Sequence, residues 1–377
     1  RFLHEEGVVI EPMYVVKSGR ANWDKVRLLL NARPYPSRSI DNNIADIRAA
    51  LAANARGISG LESLAKRYGL DDFKNFINLL WVESSLGVKK VLRKLGNGIY
   101  SAKENLDDGT PISVNIDVRD GNALFDWTGT GDVHLGNLNA TPAIVRSAVL
   151  YVLRIMVKEA LPLNEGMMES VKIKLPSPSL LSPDFRKDPL EVPAVTGGNV
   201  ETSQRLVSVL LRAFGLCAGS QPTMNNILFG TENFGYYETV CGGAGAGPGY
   251  AGADAVHSHM TNTRITDVEI IEHRYPVRIE RFSIRKKSGG AGFWRGGDGV
   301  VRELSFLESM ELSVITQGRI KGAYGLGGGK AGEIGKQILI RRNGTVQRLA
   351  SLEALSVEVG DRLIVETPGG GGYGKIS

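Results

Sequence analysis

A chain of 377 residues with 42% hydrophobic and 23% charged residues has the make-up of an ordinary globular protein, with room for more than one domain. Its net charge of +5 comes from scattered Lys and Arg with no basic stripe, which argues against nucleic-acid binding, and no apolar run reaches the ~18 residues of a membrane span. Glycine is the anomaly: there are 47, against roughly 26 at average usage, gathered in runs at 242–252, 289–299, 325–335 and 369–374 without the period of collagen. Such runs predict many tight approaches of backbone to backbone. The two cysteines, Cys217 and Cys241, read as free thiols of a reducing compartment, and the expected location is the cytoplasm.

The first residues, Arg-Phe-Leu-His-Glu-Glu-Gly, carry no initiator Met, no signal-peptide pattern and no polar tail. The chain is expected to start inside a domain, with residues of the same functional unit before Arg1. Short extended pieces at Val8–Ile10 and Tyr14–Val16 lead to a loop with Pro34 and Pro36. Asp41–Asn43 can cap a helix from Ile44. A second helix follows Asp71-Asp72 and reaches Gly96, which predicts an antiparallel pair turning near Gly69.

The period then changes. Ile112, Val114, Ile116 and Val118 alternate with polar residues, Asp120-Gly121 follows, and Ala123, Phe125 and Trp127 resume the alternation. This predicts a type I′ hairpin. A polar loop at 128–139 precedes Thr141-Pro142, a cap and first-turn proline for a helix to about Ala160. Val171–Leu175 reads as a strand. The segment 176–193, with five prolines, reads as a surface connection or arm. TGGNVETSQ (196–204) passes from glycine loop to helix. Its N–H groups, with Asn199, Thr202, Ser203 and Gln204, can hold an anion, or Asn199 and Thr202 can simply cap the helix. QPTMNN (221–226) supplies the adjacent amides Asn225 and Asn226.

Tyr236–Asp267, the most polar and glycine-rich stretch, is the candidate site. His257 and His259 fall on one side of an extended segment and can ligate a metal, with Asp254 or Asp267 as carboxylate partner; His4, beside Glu5 and Glu6, is another possible ligand. Glu6, Glu238 and Asp267 are candidate general bases if buried. Thr266 to Glu269 matches a capping box. From Val277 the pattern is mainly β, with strands at Val277–Ile284, Val300–Phe306 and Leu312–Thr316 and a hairpin about Asn343-Gly344. The expectation is an α+β fold: a mainly helical part at 1–100, a central α+β part with the site at 101–275, and a β-rich part at 276–377. No P-loop, dinucleotide fingerprint, G-x-S-x-G or H-E-x-x-H occurs.

ETSQR (201–205), MNN (224–226), GYYET (235–239), GGAGAGP (242–248), HSHMTNTRITD (257–267), GGDG (296–299) and TPGGGGYG (367–374), with DNNIADIRAALAAN (41–54) and GNLNA (136–140), occur in one order over the whole chain. Together they resemble the hydantoinase B/oxoprolinase family, and within it the C-terminal region of 5-oxoprolinases. The resemblance implies an ATP-dependent hydrolase of cyclic amides such as 5-oxoproline or hydantoins. ATP would be bound by an actin-like, hydantoinase A-type part rather than by this chain, and that part would activate the carbonyl by phosphorylation. The resemblance also implies a divalent metal, placed mainly on a segment upstream of the EEG motif at 5–7, so that this chain would be inactive without its missing parts. Relatives that carboxylate acetone or acetophenone leave a carboxylase subunit as an alternative, and a scaffold docking the ATPase part is another. A homo-oligomer is expected. For a 5-oxoproline-like substrate, Arg264 can clamp the carboxylate. Asn225, Asn226, Thr261 and Asn262 can hydrogen-bond the lactam, and N–H groups near Gly243 and Gly245 can stabilise developing negative charge.

Overall fold

The computed structural model describes residues 2–376 except Lys187 and Pro189; the expectation about residues before Arg1 lies outside the described residues. The architecture is α+β. A short hairpin, β1 (Val16–Lys17) and β2 (Arg20–Ala21), leads to α1 (Trp23–Leu30), then the long antiparallel pair α2 (Ile40–Tyr68) and α3 (Leu70–Leu95). Val26, Leu30 and Ile44 form a small core of their own where α1 meets the base of α2.

The first large core lies on a sheet of order β3 (Gly98–Asn105), β4 (Pro111–Arg119), β5 (Asn122–Asp126) and β6 (Val171–Lys174). The alternation at 112–118 does what period 2 dictates: Ile112, Val114, Ile116 and Val118 are fully buried on one face. Asp120 and Gly121 both have positive φ, 51° and 80°, the type I′ geometry expected of an Asp-Gly pair. β5 and β6 are parallel, and the crossover between them contains α4 (Pro142–Met156), with Thr141 as N-cap and Pro142 in its first turn. α5 (Ser203–Ala213) packs across β3 and β4 and beside α4. The 176–193 segment is more than a surface connection. Leu180 and Leu181 are buried in this core, and the Leu180 carbonyl accepts from Ala140 N–H at 2.7 Å.

The second core is a sandwich of two sheets. One has the order β14 (Leu352–Val357), β11 (Met310–Ile315), β7 (Asn226–Gly230), β8 (Gly235–Thr239); the other is β13 (Val346–Arg348), β12 (Lys336–Ile340), β15 (Arg362–Glu366), β10 (Gly299–Phe306), β9 (Val277–Arg285). Phe229, Phe306, Leu312, Leu339 and Val365 meet between them, closed at one end by Ile271 of α6 (Val268–Arg274). β7 precedes residue 275 and pairs with β11, which follows it, so the expected boundary at 275 coincides with no break in packing. Among the described residues no helix is long and apolar enough to cross a membrane.

The four glycine runs converge. Gly297 N–H donates to Ala244 O (2.8 Å), Gly370 N–H to Gly297 O (2.9 Å), Gly290 N–H to Gly370 O (2.8 Å) and Gly372 N–H to Lys330 O (2.9 Å). A Cβ on Gly370 would overlap the Ala244 carbonyl, and one on Gly297 the Ala253 carbonyl. Neither glycine is needed for a positive φ; both are needed because another backbone occupies the side-chain position. Gly370→Ala is therefore expected to lower unfolding free energy by about 3 kcal/mol or more in urea titrations. Gly60→Ala, in α2 with nothing within 4 Å of its Cβ position, is expected to raise it by about 0.5–1 kcal/mol. Equal effects at the two sites would contradict this packing.

Candidate functional site

The site is built on the entry to α5. The turn Gly198–Thr202 is π-helical and runs directly into α5, a feature frequent at functional sites because it re-aims side chains. It is held on three sides. Gly197 N–H donates to Asn137 O (2.8 Å), and a Cβ on Gly198 would overlap the Asn139 carbonyl, so the two glycines let the 134–140 loop lie against the turn. Thr202 Oγ1 donates to Leu138 O (2.5 Å). Glu6 accepts from the N–H groups of Val195 (3.1 Å) and Thr196 (2.8 Å). The fully buried Asn139 ties the loop together, donating to the carbonyls of His134, Gly136 and Ala194.

Gln204, one residue into α5 and fully buried, then holds the His257–Thr261 loop. Its Nε2 donates to Ser258 O (2.9 Å) and Thr261 Oγ1 (2.6 Å), and its Oε1 accepts from Met260 N–H (3.2 Å). The loop that results is short of partners. Both ring nitrogens of His257, Nε2 of His259 and Oγ of Ser258 are buried without a hydrogen bond. His259 adopts φ 56°, its Nδ1 lies 3.4 Å from the Tyr151 hydroxyl, and burial pushes it down to about 4, so it is neutral at pH 7. Burial lowers His257 as well.

Glu201, Arg205 and Ser208 occupy one face of the α5 region at i, i+4 and i+7. Each is buried, and each has a polar atom without a partner: Glu201 Oε2, Arg205 Nε and Nη2, Ser208 Oγ. Burial pushes Glu201 up to about 8, against the opposing pull of Thr223, Met224 N–H, Arg319 and Arg205. Its Oε1 accepts from Asn226 Nδ2 (2.6 Å) and Met224 N–H (3.1 Å). Native interiors leave few polar groups unpaired; so many along one helix and the loop it holds mark a place where water or substrate completes the bonding.

The structure divides the expected site residues. Gln204, Thr261, His257 and His259 come together; Thr202 and Ser203 (Oγ to Asn199 O) brace the turn. Asn199, Asn262 and Arg264 are exposed, and among the described residues Arg264 has no hydrogen-bond or ion-pair partner. Asn225 and Asn226 are fully buried, and their amides are spent inside the protein. Asn225 bonds Gln221, Val240 O and Arg319; Asn226 bonds Glu201, Ile315 O and Tyr237. They stiffen the floor of the site rather than meet a ligand. Gly243 N–H donates to Pro368 O (3.0 Å) and Gly245 N–H to Ser220 Oγ (3.0 Å), so neither is a free oxyanion donor.

Glu238 is buried but faces the sandwich core in a two-pronged ion pair with Arg302, 2.8 and 3.0 Å, bridged by Tyr236 OH at 2.9 Å. Asp267 is the N-cap of α6, accepting from Glu269 and Ile270 N–H. The expected Thr266–Glu269 box is thus an aspartate cap one residue later, and neither acid is placed as a general base. The metal donors do not assemble either. Among the described residues no group of three His, Cys, Asp or Glu can hold an ion. His4 lies against Phe2 and Tyr35, while Asp254 is engaged by Arg295. The described residues named as ligands therefore do not fit a metal.

Two features escaped the sequence reading. His134 Nε2 sits 2.8 Å from Asp108 Oδ2 while its Nδ1 accepts from Gly136 N–H (2.8 Å). Burial alone would raise Asp108, but Thr110 and His134 hold it below the usual carboxylate range. Both nitrogens being committed, this pair fastens a loop. The other is the polar stripe 201, 205, 208, legible as three polar residues at i, i+4 and i+7.

The chain matches the Hydantoinase B/oxoprolinase family over residues 1–376. It belongs to the hydantoinase B/oxoprolinase family. It is 41% identical over 382 residues to a 5-oxoprolinase of Dictyostelium discoideum, covering 99% of this chain and 29% of that one; the chain thus spans under a third of that relative's length. The crystal structure of an ATP-dependent caprolactamase from Pseudomonas jessenii superposes with a TM-score of 0.82 at 26% identity, covering 98% of this chain and 67% of that one. The nucleotide-free structure of acetone carboxylase superposes at 0.84 with 16% identity, covering 99% and 57%, which shows a shared fold alone.

Glu201 in an unfolded chain titrates near 4.5 and in the folded protein near 8. Folding therefore holds its proton: the contribution is fully present below about pH 4.5 and is lost as pH rises towards 8. Glu201→Gln keeps an acceptor for Asn226 and Met224 and removes the titration. Its Tm is expected to fall less than that of the unaltered protein between about pH 5 and 8 by calorimetry; parallel curves would contradict a buried neutral Glu201.

Proposed function

We propose that this chain is the hydrolytic component of an ATP-dependent cyclic-amide hydrolase, with 5-oxoproline as substrate, working on a carbonyl that an actin-like ATPase part has phosphorylated. The observation that supports this most is likeness over 99% of the chain, at 41% identity, to a 5-oxoprolinase. Likeness at 26% identity to an ATP-dependent caprolactamase, whose name also denotes a lactam, supports the same reaction class.

Phosphorylation of the lactam oxygen makes the carbonyl carbon electrophilic. One water adds there and the C–N bond opens, its electron pair leaving on nitrogen, which takes up a proton; an acyl phosphate remains. A second water releases phosphate and leaves the free carboxylate. In this reading the neutral His257, with both ring nitrogens unpaired, holds the attacking water and accepts its proton. His259, at about 4, is too weak a base for that task and orients through Nε2. The exposed Arg264 clamps the substrate carboxylate, and Asn262 reaches the ring amide.

In the complete enzyme, 5-oxoproline and ATP should yield glutamate with no requirement for bicarbonate; bicarbonate-dependent ketone carboxylation instead would refute the reading. Arg264→Ala should raise KM for 5-oxoproline about tenfold or more, the value of a charged hydrogen bond of at least ~1.5 kcal/mol, with a smaller change in kcat. A KM within about twofold of the unaltered enzyme would remove Arg264 from the substrate site.

A further inference from the structure

His259 is held from two sides. Gln204 bonds the residues that flank it, Ser258 O at 2.9 Å and Met260 N–H at 3.2 Å. The backbone between them sits at φ 56°, a region that a non-glycine residue keeps only where its surroundings enforce it. The His259 ring lies edge-to-face with Tyr151 of α4, centroids 5.9 Å apart at 76°, and its Nδ1 is 3.4 Å from the Tyr151 hydroxyl. Two helices distant in sequence thus fix one side chain. Its other nitrogen, Nε2, is buried without a partner among the described residues. The residue as a whole is only partly buried, so the loop lies within reach of a bound group.

A neutral imidazole carries one proton, and the bond made at one nitrogen decides which nitrogen holds it. Among the described residues the Tyr151 hydroxyl has no hydrogen-bond partner but His259. Burial raises that hydroxyl above its ordinary value, so it keeps a proton to donate. Donation to Nδ1 leaves the ring proton on Nε2; the tautomer is assigned from this bond. The opposite tautomer would make Nε2 a bare lone pair, which repels an anionic oxygen. This one makes it an N–H, which attracts one.

We propose that Tyr151 is a positioning residue that fixes His259 as its Nε2–H tautomer, and that this N–H donates to an anionic oxygen of the bound substrate. In the reaction proposed above, on which the choice of acceptor rests, that oxygen belongs to the phosphoryl group of the activated lactam. No proton is transferred through His259. It stabilises negative charge as an uncharged donor, while His257 takes the proton of water. The lactam has no phosphoryl oxygen before activation, so this bond raises turnover and not affinity for the free substrate.

The tautomer and the turnover are read separately in the complete enzyme. With 15N-labelled histidine, the NMR signals lost in His259→Gln belong to His259. They should show a proton on Nε2 and none on Nδ1, and Tyr151→Phe, which keeps the ring contact, should give both tautomers. His259→Leu should lower kcat for glutamate formation at least tenfold, the value of one charge-assisted hydrogen bond. KM for 5-oxoproline should stay within twofold, and ADP release should continue. His259→Gln, whose amide can donate in place of Nε2–H, should recover much of that loss, and adding Tyr151→Phe to it should cost less than twofold. A protonated Nδ1 in the unaltered enzyme, a tautomer indifferent to Tyr151→Phe, or a His259→Gln enzyme no faster than His259→Leu would overturn the proposal. An unaltered enzyme that forms no glutamate from 5-oxoproline would refute the reaction and with it the phosphoryl acceptor, while the nitrogen signals would still decide the tautomer.

Discussion

Backbone packed directly on backbone is the constraint on which the rest of the molecule depends. The runs near 243–246, 289–297, 325–332 and 369–372 bond to one another through N–H and C=O groups at separations that leave no room for a Cβ. The same bundle fixes α5. Ala218 and Gly219, just beyond that helix, donate to Ala246 O and Tyr324 O at 2.8 Å, and the Tyr324 hydroxyl donates to Ser208 O at 3.0 Å. The glycines thus join the sandwich to the helix that bears the site, and they do so with rigid main chain rather than with adjustable side chains. An anion-cradling role for these glycines is displaced by a structural one that uses the same N–H groups.

With its C-terminal end so held, α5 can afford a polar interior. Desolvated Glu201 and Arg205 are each expensive to bury; Glu201 Oε1 is bonded to Asn226 Nδ2 and Met224 N–H, while Arg205 Nε and Nη2 are left unpaired. The unpaired atoms lie along one helix face and on the loop that Gln204 grips. Groups that are positioned yet unsatisfied are what the proposed catalytic role requires. The neutral state of His259 follows from the same burial.

Much of the fold was legible because local rules were strong. The alternation at 112–118, the Asp120-Gly121 turn and the Thr141-Pro142 helix start each rest on contacts within a few residues. The site was half legible. The histidine loop and Gln204 announced themselves by polarity, whereas Glu238, Asn225 and Asn226 look the same in sequence whether they face a ligand or a neighbour 60 or 90 residues away, as Arg302 and Arg319 proved to be. Leu180 and Leu181, hidden among prolines, were unreadable for the same reason: their burial depends on the distant core strands and helices.

The central claim is that the α5 entry and the His257–His259 loop perform the hydrolytic half of a reaction whose ATP chemistry occurs elsewhere. The ratio of ADP to glutamate formed by the complete enzyme tests this most directly. With His257→Ala, ADP release in the presence of 5-oxoproline should continue while glutamate formation falls at least tenfold, because activation survives and ring opening does not. ADP and glutamate falling in step, or neither changing, would contradict the account.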